Sequence, residues 1–246
     1  MAGIALLTGA SGGLGQAAAA ELQQDGWTVA LVGRSEERLR SIYGSEALCI
    51  EADVSTPEGA KAAVMRCQQQ VGLPTALAHC AGTTLLSPLH RTTPELYRTC
   101  LTANLDSAFF TLGAFVDALR EAREPGAAVL VSSVVARIGV ANHEAIAAAK
   151  AGVEGLTRSA AATYAPSRIR VNAVAPGIMD TPAVARIIGN DASRAGAAKQ
   201  YPLPGIGNPA DLARLMAWLL SDKAGWITGQ VWAMDGGFSS IRPLVR

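Results

Sequence analysis

Short apolar runs alternate along the chain with longer Ala-rich or charged segments. Residues 4–7, 28–32, 47–50, 76–79, 128–131, 170–174 and 230–234 are brief and apolar, and they read as strands. The segments between them have helical composition. The first covers 16–25 and stops at Gly26, a natural C-terminal signal. The next, 34–43, is charged and amphipathic, and 57–71 opens on Pro57, a residue suited to a first helical turn. Further helices are expected around 97–122, over 145–164 and over 209–221. Strands that read as unbroken apolar runs are buried on both faces, and intervening helices supply the crossovers. The pattern predicts an α/β fold: a Rossmann-type, doubly wound parallel sheet in three layers, α/β/α. No linker or compositional shift divides the 246 residues, so residues 1–246 are expected to form a single domain. Segment 180–208 breaks the rhythm with Pro182, Gly189, Gly196, Pro202, Pro204, Gly205 and Gly207. Irregular stretches inside compact domains are usually binding loops, which makes this the expected substrate loop.

Half the residues are hydrophobic and only 17% are charged, enough to bury a sizeable core and to exclude disorder as the main state. The net charge of +1 and the lack of a basic cluster argue against nucleic acid or an anionic membrane as partner. No basic region precedes an apolar core at the N-terminus, and no run of about 18 unbroken apolar residues occurs. Neither an ordinary signal peptide nor a membrane span is therefore expected. Cys49, Cys67, Cys80 and Cys100 are irregularly spaced, as are His79, His90 and His143. Free thiols in a reducing cytoplasm fit better than a disulfide framework, and no metal site is expected.

Thr8-Gly9-Ala10-Ser11-Gly12-Gly13-Leu14-Gly15 sits between the first strand and the first helix. Glycines there permit a tight turn and let a diphosphate approach the backbone, while the helix start offers unpaired N–H groups and a positive dipole end. The spacing is TGxxxGxG, and at this point the chain resembles the short-chain dehydrogenase/reductase family, in particular its 3-oxoacyl-carrier-protein reductases. Other segments extend the resemblance over nearly the full length. Asp53-Val54 matches the pair that contacts adenine. His79-Cys80-Ala81-Gly82 stands where the family usually has Asn-Asn-Ala-Gly. Asn104 matches the asparagine of the central helix, Ser132-Ser133 follows the fifth strand, and Lys150 lies in AAAKAG. Pro176-Gly177 with Thr181 matches the PGxxxT segment that meets the nicotinamide amide, and 227–230 with 235–237 resembles the C-terminal signature. The resemblance implies a nicotinamide cofactor held by Gly9, Ser11, Gly13, Leu14, Gly15, Arg34, Asp53, Val54, Ala81, Gly82, Lys150, Pro176, Gly177 and Thr181.

Two departures carry information. The second strand ends Val32-Gly33-Arg34, where an NAD enzyme would place an acid for the ribose 2′-hydroxyl. A guanidinium can pair with a 2′-phosphate and stack on adenine, so the expected cofactor is NADP(H). The alternative is that Arg34 is a solvated residue at a helix start. The second departure is at the tyrosine that donates a proton four residues before the family's lysine: here Ile146 occupies that position, and an alkyl group cannot transfer a proton.

The rest of the constellation survives. Ser133, 13 residues before Ile146, has the spacing of the serine that hydrogen-bonds the substrate oxygen. Lys150 is expected to bind the nicotinamide ribose and supply positive charge, and Asn104 to support a relay. Each also has a plain structural reading: Ser133 as a turn residue, Asn104 as a buried amide, Lys150 as a clamp without chemistry. At about 100° per residue, His143 and Ile146 lie about 20° and about 40° from Lys150 if the helix already includes residue 143. His143 is then a candidate acid, against its reading as a first-turn surface residue behind an Asn142 cap.

These features point to an NADP(H)-dependent oxidoreductase that reduces a carbonyl, an activated C=C bond or an imine of a small organic substrate, with atypical proton delivery. The last two demand less of an enzyme acid than a ketone does. The rival is a non-catalytic dinucleotide-binding protein acting as sensor, scaffold or partner of an active relative. Polar groups in the substrate loop are sparse: Asp180, Arg186, Asn190, Asp191, Lys199 and Tyr201. Helix 145–163 is crowded with small residues, and the related enzymes commonly pair through it, so a homotetramer or homodimer is expected. The C-terminal residues from 238 onward, with Ile241, Leu244 and Val245, are expected to dock on a neighbouring subunit.

Overall fold

The computed structural model describes residues 3–242, and of Arg186 the backbone alone. Seven strands form one parallel sheet in the order β3-β2-β1-β4-β5-β6-β7. They are β1 (Ile4–Thr8), β2 (Thr28–Gly33), β3 (Cys49–Glu51), β4 (Ala76–His79), β5 (Gly126–Val131), β6 (Ile169–Pro176) and β7 (Val231–Met234). The helices are α1 (Gly13–Gln24), α2 (Glu36–Tyr43), α3 (Pro57–Gln70), α4 (Pro94–Leu101), α5 (Ser107–Ala122), α6 (Glu144–Tyr164), α7 (Ala185–Ile188), α8 (Asp191–Ala198) and α9 (Pro209–Leu220).

The two-residue period of a strand divides the apolar runs between two cores. Leu6, Val32, Leu77 and Leu130 share one layer with Val64, Cys67, Phe115 and Val153 of α3, α5 and α6. Leu7, Leu31, Ala78 and Val129 point the other way, toward Ala18, Leu22, Leu39, Leu212 and Met216 of α1, α2 and α9. Helices therefore cover both faces, as the continuous apolar runs require. Chain order reverses direction between β1 and β4, and beside such a switch the strands' carboxyl ends open a crevice.

Several boundaries differ from the sequence expectation for identifiable reasons. Helix α1 begins at Gly13, inside the glycine motif. Arg34 precedes α2, because the Ser35 side chain accepts the Arg38 N–H and starts the helix at Glu36. The central helix starts earlier, at Pro94, with Thr93 as its cap. It continues to Ala122 through a π-turn over Thr102–Asp106. This helix has the length and mean hydropathy of a membrane span, yet Leu112, Phe115 and Leu119 are buried in the core. Segment 180–208 is not irregular throughout: α7 and α8 lie within it, α8 opened by a reciprocal Asn190–Ser193 capping box. Leu244 and Val245 lie outside the described residues.

Candidate active site

The segments that follow β1, β4, β5 and β6 contribute the walls of one cavity. After β1 the chain turns at Gly9, whose φ is +68° and where a Cβ would stand 2.6 Å from the backbone of Cys80 and Ala81. At Gly15 a Cβ would lie 2.3 Å from the Gly9 carbonyl oxygen. The two glycines let the turn fold onto β4 and α1 onto the turn. The first turn of α1 has neither a side-chain cap nor an acidic residue, and Ser11, Gly13 and Leu14 stand at its mouth. Uncapped N–H groups at a helix start fit an anionic group such as a diphosphate. Gly13 also touches the far side of the crevice: a Cβ there would lie 2.9 Å from that of Thr181.

At the end of β2, Gly33 leaves Arg34 exposed. Its charge reaches Asp53, whose carboxyl is held below the ordinary range chiefly by the Ser55 hydroxyl and N–H, with Arg34 adding to the effect. Val54, beside it, is buried.

At the end of β4, Gly82 is pressed against the central helix; a Cβ there would be 2.7 Å from Asn104 Oδ1 and 3.4 Å from Lys150 Nζ. Asn104 sits in the π-turn and is buried. Its Oδ1 accepts the Thr83 N–H at 3.2 Å and its Nδ2 donates to the Cys100 carbonyl at 2.9 Å. The amide thus fixes the loop that carries Gly82. His79 braces the same turn, a function that sequence reasoning did not assign. The Ser107 hydroxyl donates to the Ala103 carbonyl (2.8 Å), which spends its only proton. His79 Nε2 must therefore donate to Ser107 Oγ (3.2 Å), and Nδ1 accepts from Thr8 Oγ1 (2.9 Å). Burial, then the nearby Lys150 ammonium, pushes the imidazole down to about 3, so it is neutral.

Ser133, Lys150, Asn104, His143 and Ile146 line one cavity of about 340 Å³, together with Pro176, Gly177 and Thr181. Ser133 Oγ accepts the Val135 N–H at 3.4 Å, which leaves its own proton to donate. Lys150 is 8% exposed, and Nζ donates to the Val131 carbonyl at 2.8 Å. Burial brings its ammonium down to about 8. Ile146 is buried among Cys100, Ala149, Leu85, Leu105 and Val135. Cys80 also lines the cavity, but burial raises its thiol to about 12, so it is protonated and unreactive.

His143 does not meet the condition attached to it. It is the residue before α6, with φ −113° and ψ 16°, because Asn142 takes a left-handed φ of +65° and turns the chain there. Asn142 is therefore not the cap. His143 nevertheless reaches the cavity wall, with Nδ1 2.7 Å from the Ala141 carbonyl oxygen. Behind the cavity, Glu154 joins the Ser132 hydroxyl (3.2 Å) and the Arg137 guanidinium (2.9 Å). No sequence motif marked that network. Among the described residues, no cluster of side chains suits a metal ion.

A family model described as enoyl-(acyl carrier protein) reductase matches residues 9–239. The chain is 35% identical over 244 residues to cis-4-hydroxycyclohexanecarboxylate dehydrogenase of Sinomonas cyclohexanicum, covering 97% of both proteins. It is 34% identical over 240 residues to a 3-oxoacyl-[acyl-carrier-protein] reductase of Pseudomonas aeruginosa, covering 95% of this chain and 96% of that protein. Among solved structures, ElxO with NADP bound superposes with a TM-score of 0.91 at 25% identity, covering 98% of this chain and all of that one.

Proposed function

Because the chain belongs to the short-chain dehydrogenase/reductase family of oxidoreductases, we propose that it uses NADP(H) to reduce a small, largely apolar organic substrate without a catalytic tyrosine. The substrate group is a carbonyl, an activated C=C bond or an imine. One observation carries the reading: Ser133, Lys150 and the Pro176-Gly177 turn face a single cavity beside an uncapped, glycine-lined helix start. Residues 1–246 then act as one dinucleotide-binding domain, with 180–208 as its substrate loop.

The preference for NADP(H) rests on Arg34 and on Gly33 standing where an NAD enzyme would place an acid, and it accords with the NADP in ElxO. Gly9, Ser11, Gly13, Leu14 and Gly15 would cradle the diphosphate. Asp53 and Val54 would meet adenine, Ala81 and Gly82 the ribose side, and Pro176, Gly177 and Thr181 the nicotinamide end. When bound, the reduced nicotinamide supplies the hydride. Ser133 donates a hydrogen bond to the substrate oxygen or nitrogen, and the Lys150 ammonium stabilises charge that develops there. Asn104 holds the Gly82 loop against both. Ile146 contributes a hydrocarbon wall where the family's phenol stands, so the proton reaches the product from water or from His143 at the cavity wall.

Substrate character follows from the walls. Leu85, Val134, Val140, Val184, Ile187 and Phe238 are apolar, and no carboxylate lines the cavity among the described residues. The relative from Sinomonas cyclohexanicum is named for an alicyclic hydroxy acid, in keeping with a compact ring as substrate. Catalysis is preferred to a sensor role because Ser133 and Lys150 persist and the two relatives described above are named a dehydrogenase and a reductase. Assembly as a homotetramer or homodimer is supported by small exposed residues on α6, Ala148, Ala151 and Gly155, and by exposed Phe109 on α5.

The test has two parts. Calorimetry should give tighter binding of NADPH than of NADH. A panel of cyclic ketones, enones and imines should then yield turnover, read from nicotinamide absorbance. Tight NADPH binding with no turnover on any class would instead favour the sensor.

A further inference from the structure

The backbone that meets the nicotinamide end is held mainly from one side. Gly177 N–H donates to the Met234 carbonyl of β7 at 3.0 Å. Beyond it, both polar groups of Ile178 belong to the return of the substrate loop: its N–H donates to Tyr201 Oη at 2.7 Å and its carbonyl accepts the Gly207 N–H at 3.0 Å. The Asp180 N–H then donates to the Gly207 carbonyl at 2.8 Å. The fit around the phenol is close. A Cβ on Gly177 would stand 2.8 Å from Tyr201 Cε1 and 3.1 Å from its Oη, so this glycine is what lets the ring lie against the turn. Phe238 backs the ring, with centroids 5.2 Å apart.

Tyr201 lines the same cavity as Ser133 and Lys150, and the Asp235 carboxylate lies near its phenol. Burial raises its phenol, so the group stays protonated. Its Oη accepts the Ile178 N–H, which places the ring to fix the geometry of that turn.

We propose that Tyr201 is a positioning residue that couples the seating of loop 180–208 to the conformation of the nicotinamide-facing turn at 176–181. The proposal rests on the NADP(H) reading of the cavity. Its logic is mechanical. Tyr201 follows α8 by three residues, and the Tyr201 N–H donates to the Ala198 carbonyl at the end of that helix. Movement of α8 therefore pulls on the phenol, and the phenol pulls on Ile178. At the other end of the turn, Thr181 and Pro182 abut Gly13 at the phosphate-binding helix. A ligand that orders the turn from inside the crevice should order the loop outside it.

The test compares wild type with Tyr201→Phe, which keeps the ring and removes the acceptor of the Ile178 N–H. NADPH affinity is measured by calorimetry and amide exchange is followed with and without NADPH. Wild type should gain protection over 185–198 on binding NADPH. Tyr201→Phe should bind NADPH about tenfold more weakly, the scale of one lost hydrogen bond to a partly buried N–H, and should lose most of that gain. A bond that only added stability would lower protection equally in both states and leave the gain intact. Wild-type affinity with an undiminished gain overturns the proposal. Failure of wild type to bind NADPH defeats the cofactor reading itself. If Tyr201→Phe does not fold, Phe238→Leu loosens the ring while keeping the phenol; unchanged affinity and unchanged protection in that variant also overturn the coupling.

Discussion

Replacing Ile146 with tyrosine tests whether a proton source is what this site lacks. Ile146 lies one helical turn before Lys150 on α6, 5% exposed, on the wall of the 340 Å³ cavity. A phenol there would project into the cavity rather than into the sheet core, since Ile146 packs in the small cluster of Cys100, Ala149, Leu85 and Val135. Added volume in a packed cluster costs about 1–3 kcal/mol of stability, and the adjoining cavity places Ile146→Tyr at the low end. The nearby ammonium of Lys150 would lower the new phenol's pKa, as an opposite charge within about 4–6 Å does by about 1–3 units.

A positioned acid contributes about 10²- to 10⁴-fold to such reactions. Ile146→Tyr should therefore raise kcat for a ketone by at least about a hundredfold while leaving NADPH affinity within about threefold, because the residues expected to hold the cofactor are untouched. The comparison substrate is a preformed iminium, whose reduction consumes no proton at the reacting centre. Its turnover should hardly change. The assay is loss of reduced-nicotinamide absorbance under saturating NADPH, with both substrates and both proteins. A folded Ile146→Tyr protein that binds NADPH normally yet reduces the ketone no faster would refute the reasoning. Equal gains on ketone and iminium would also refute it, since they would mean that the tyrosine improved binding rather than proton supply.

Arg34→Asp should weaken NADPH binding by about 10- to 100-fold, the scale of a charge-assisted hydrogen bond replaced by repulsion, and should tighten NADH binding; the ratio of dissociation constants decides it. Equal affinities for both cofactors in wild type would remove the basis for that expectation. His143→Ala should lower ketone turnover by about a hundredfold or more if the imidazole is the acid, with less effect on iminium reduction. Unchanged ketone turnover would assign proton delivery to water.

The sheet was legible because its inner strands, β1, β2, β4, β5 and β6, are largely buried on both faces, and their unbroken apolar runs announce that burial without help from distant residues. The glycine turn was legible from its own spacing, TGxxxGxG between a strand and a helix, although what leaves Gly9 no room for a side chain is the distant backbone of Cys80 and Ala81. What escaped depends on contacts between segments far apart in the chain. The tautomer of His79 is set by Ser107, 28 residues away, and by Thr8, 71 residues away. Tyr201 looked like one polar residue among several in a loop, because its partner is a backbone N–H at Ile178. His143 missed its helix because Asn142 adopts a left-handed φ, which no helical-wheel angle registers. Helices α7 and α8 were hidden by the Pro and Gly content that also bounds them.

Lys150 links the chemistry to stability. Its ammonium is buried and donates to the Val131 carbonyl. Burial lowers its pKa from 10.5 to about 8, while the unfolded chain keeps the higher value. Between those limits the unfolded state binds more protons, so the stability of the ligand-free protein should rise with pH from about 8 to about 10.5. The slope is at most about 1.4 kcal/mol per pH unit for one group. Below pH 8 the folded protein carries the charge and its desolvation cost. NADPH, if its ribose hydroxyls accept from Nζ, relieves that cost only while the ammonium is present. The increase in Tm on adding NADPH should therefore be larger at pH 7 than at pH 9, and Lys150→Met should abolish the difference while stabilising the ligand-free protein at pH 7. Thermal melts at both pH values, with and without NADPH, check this. An NADPH-induced shift independent of pH in wild type would mean that Lys150 does not hold the cofactor.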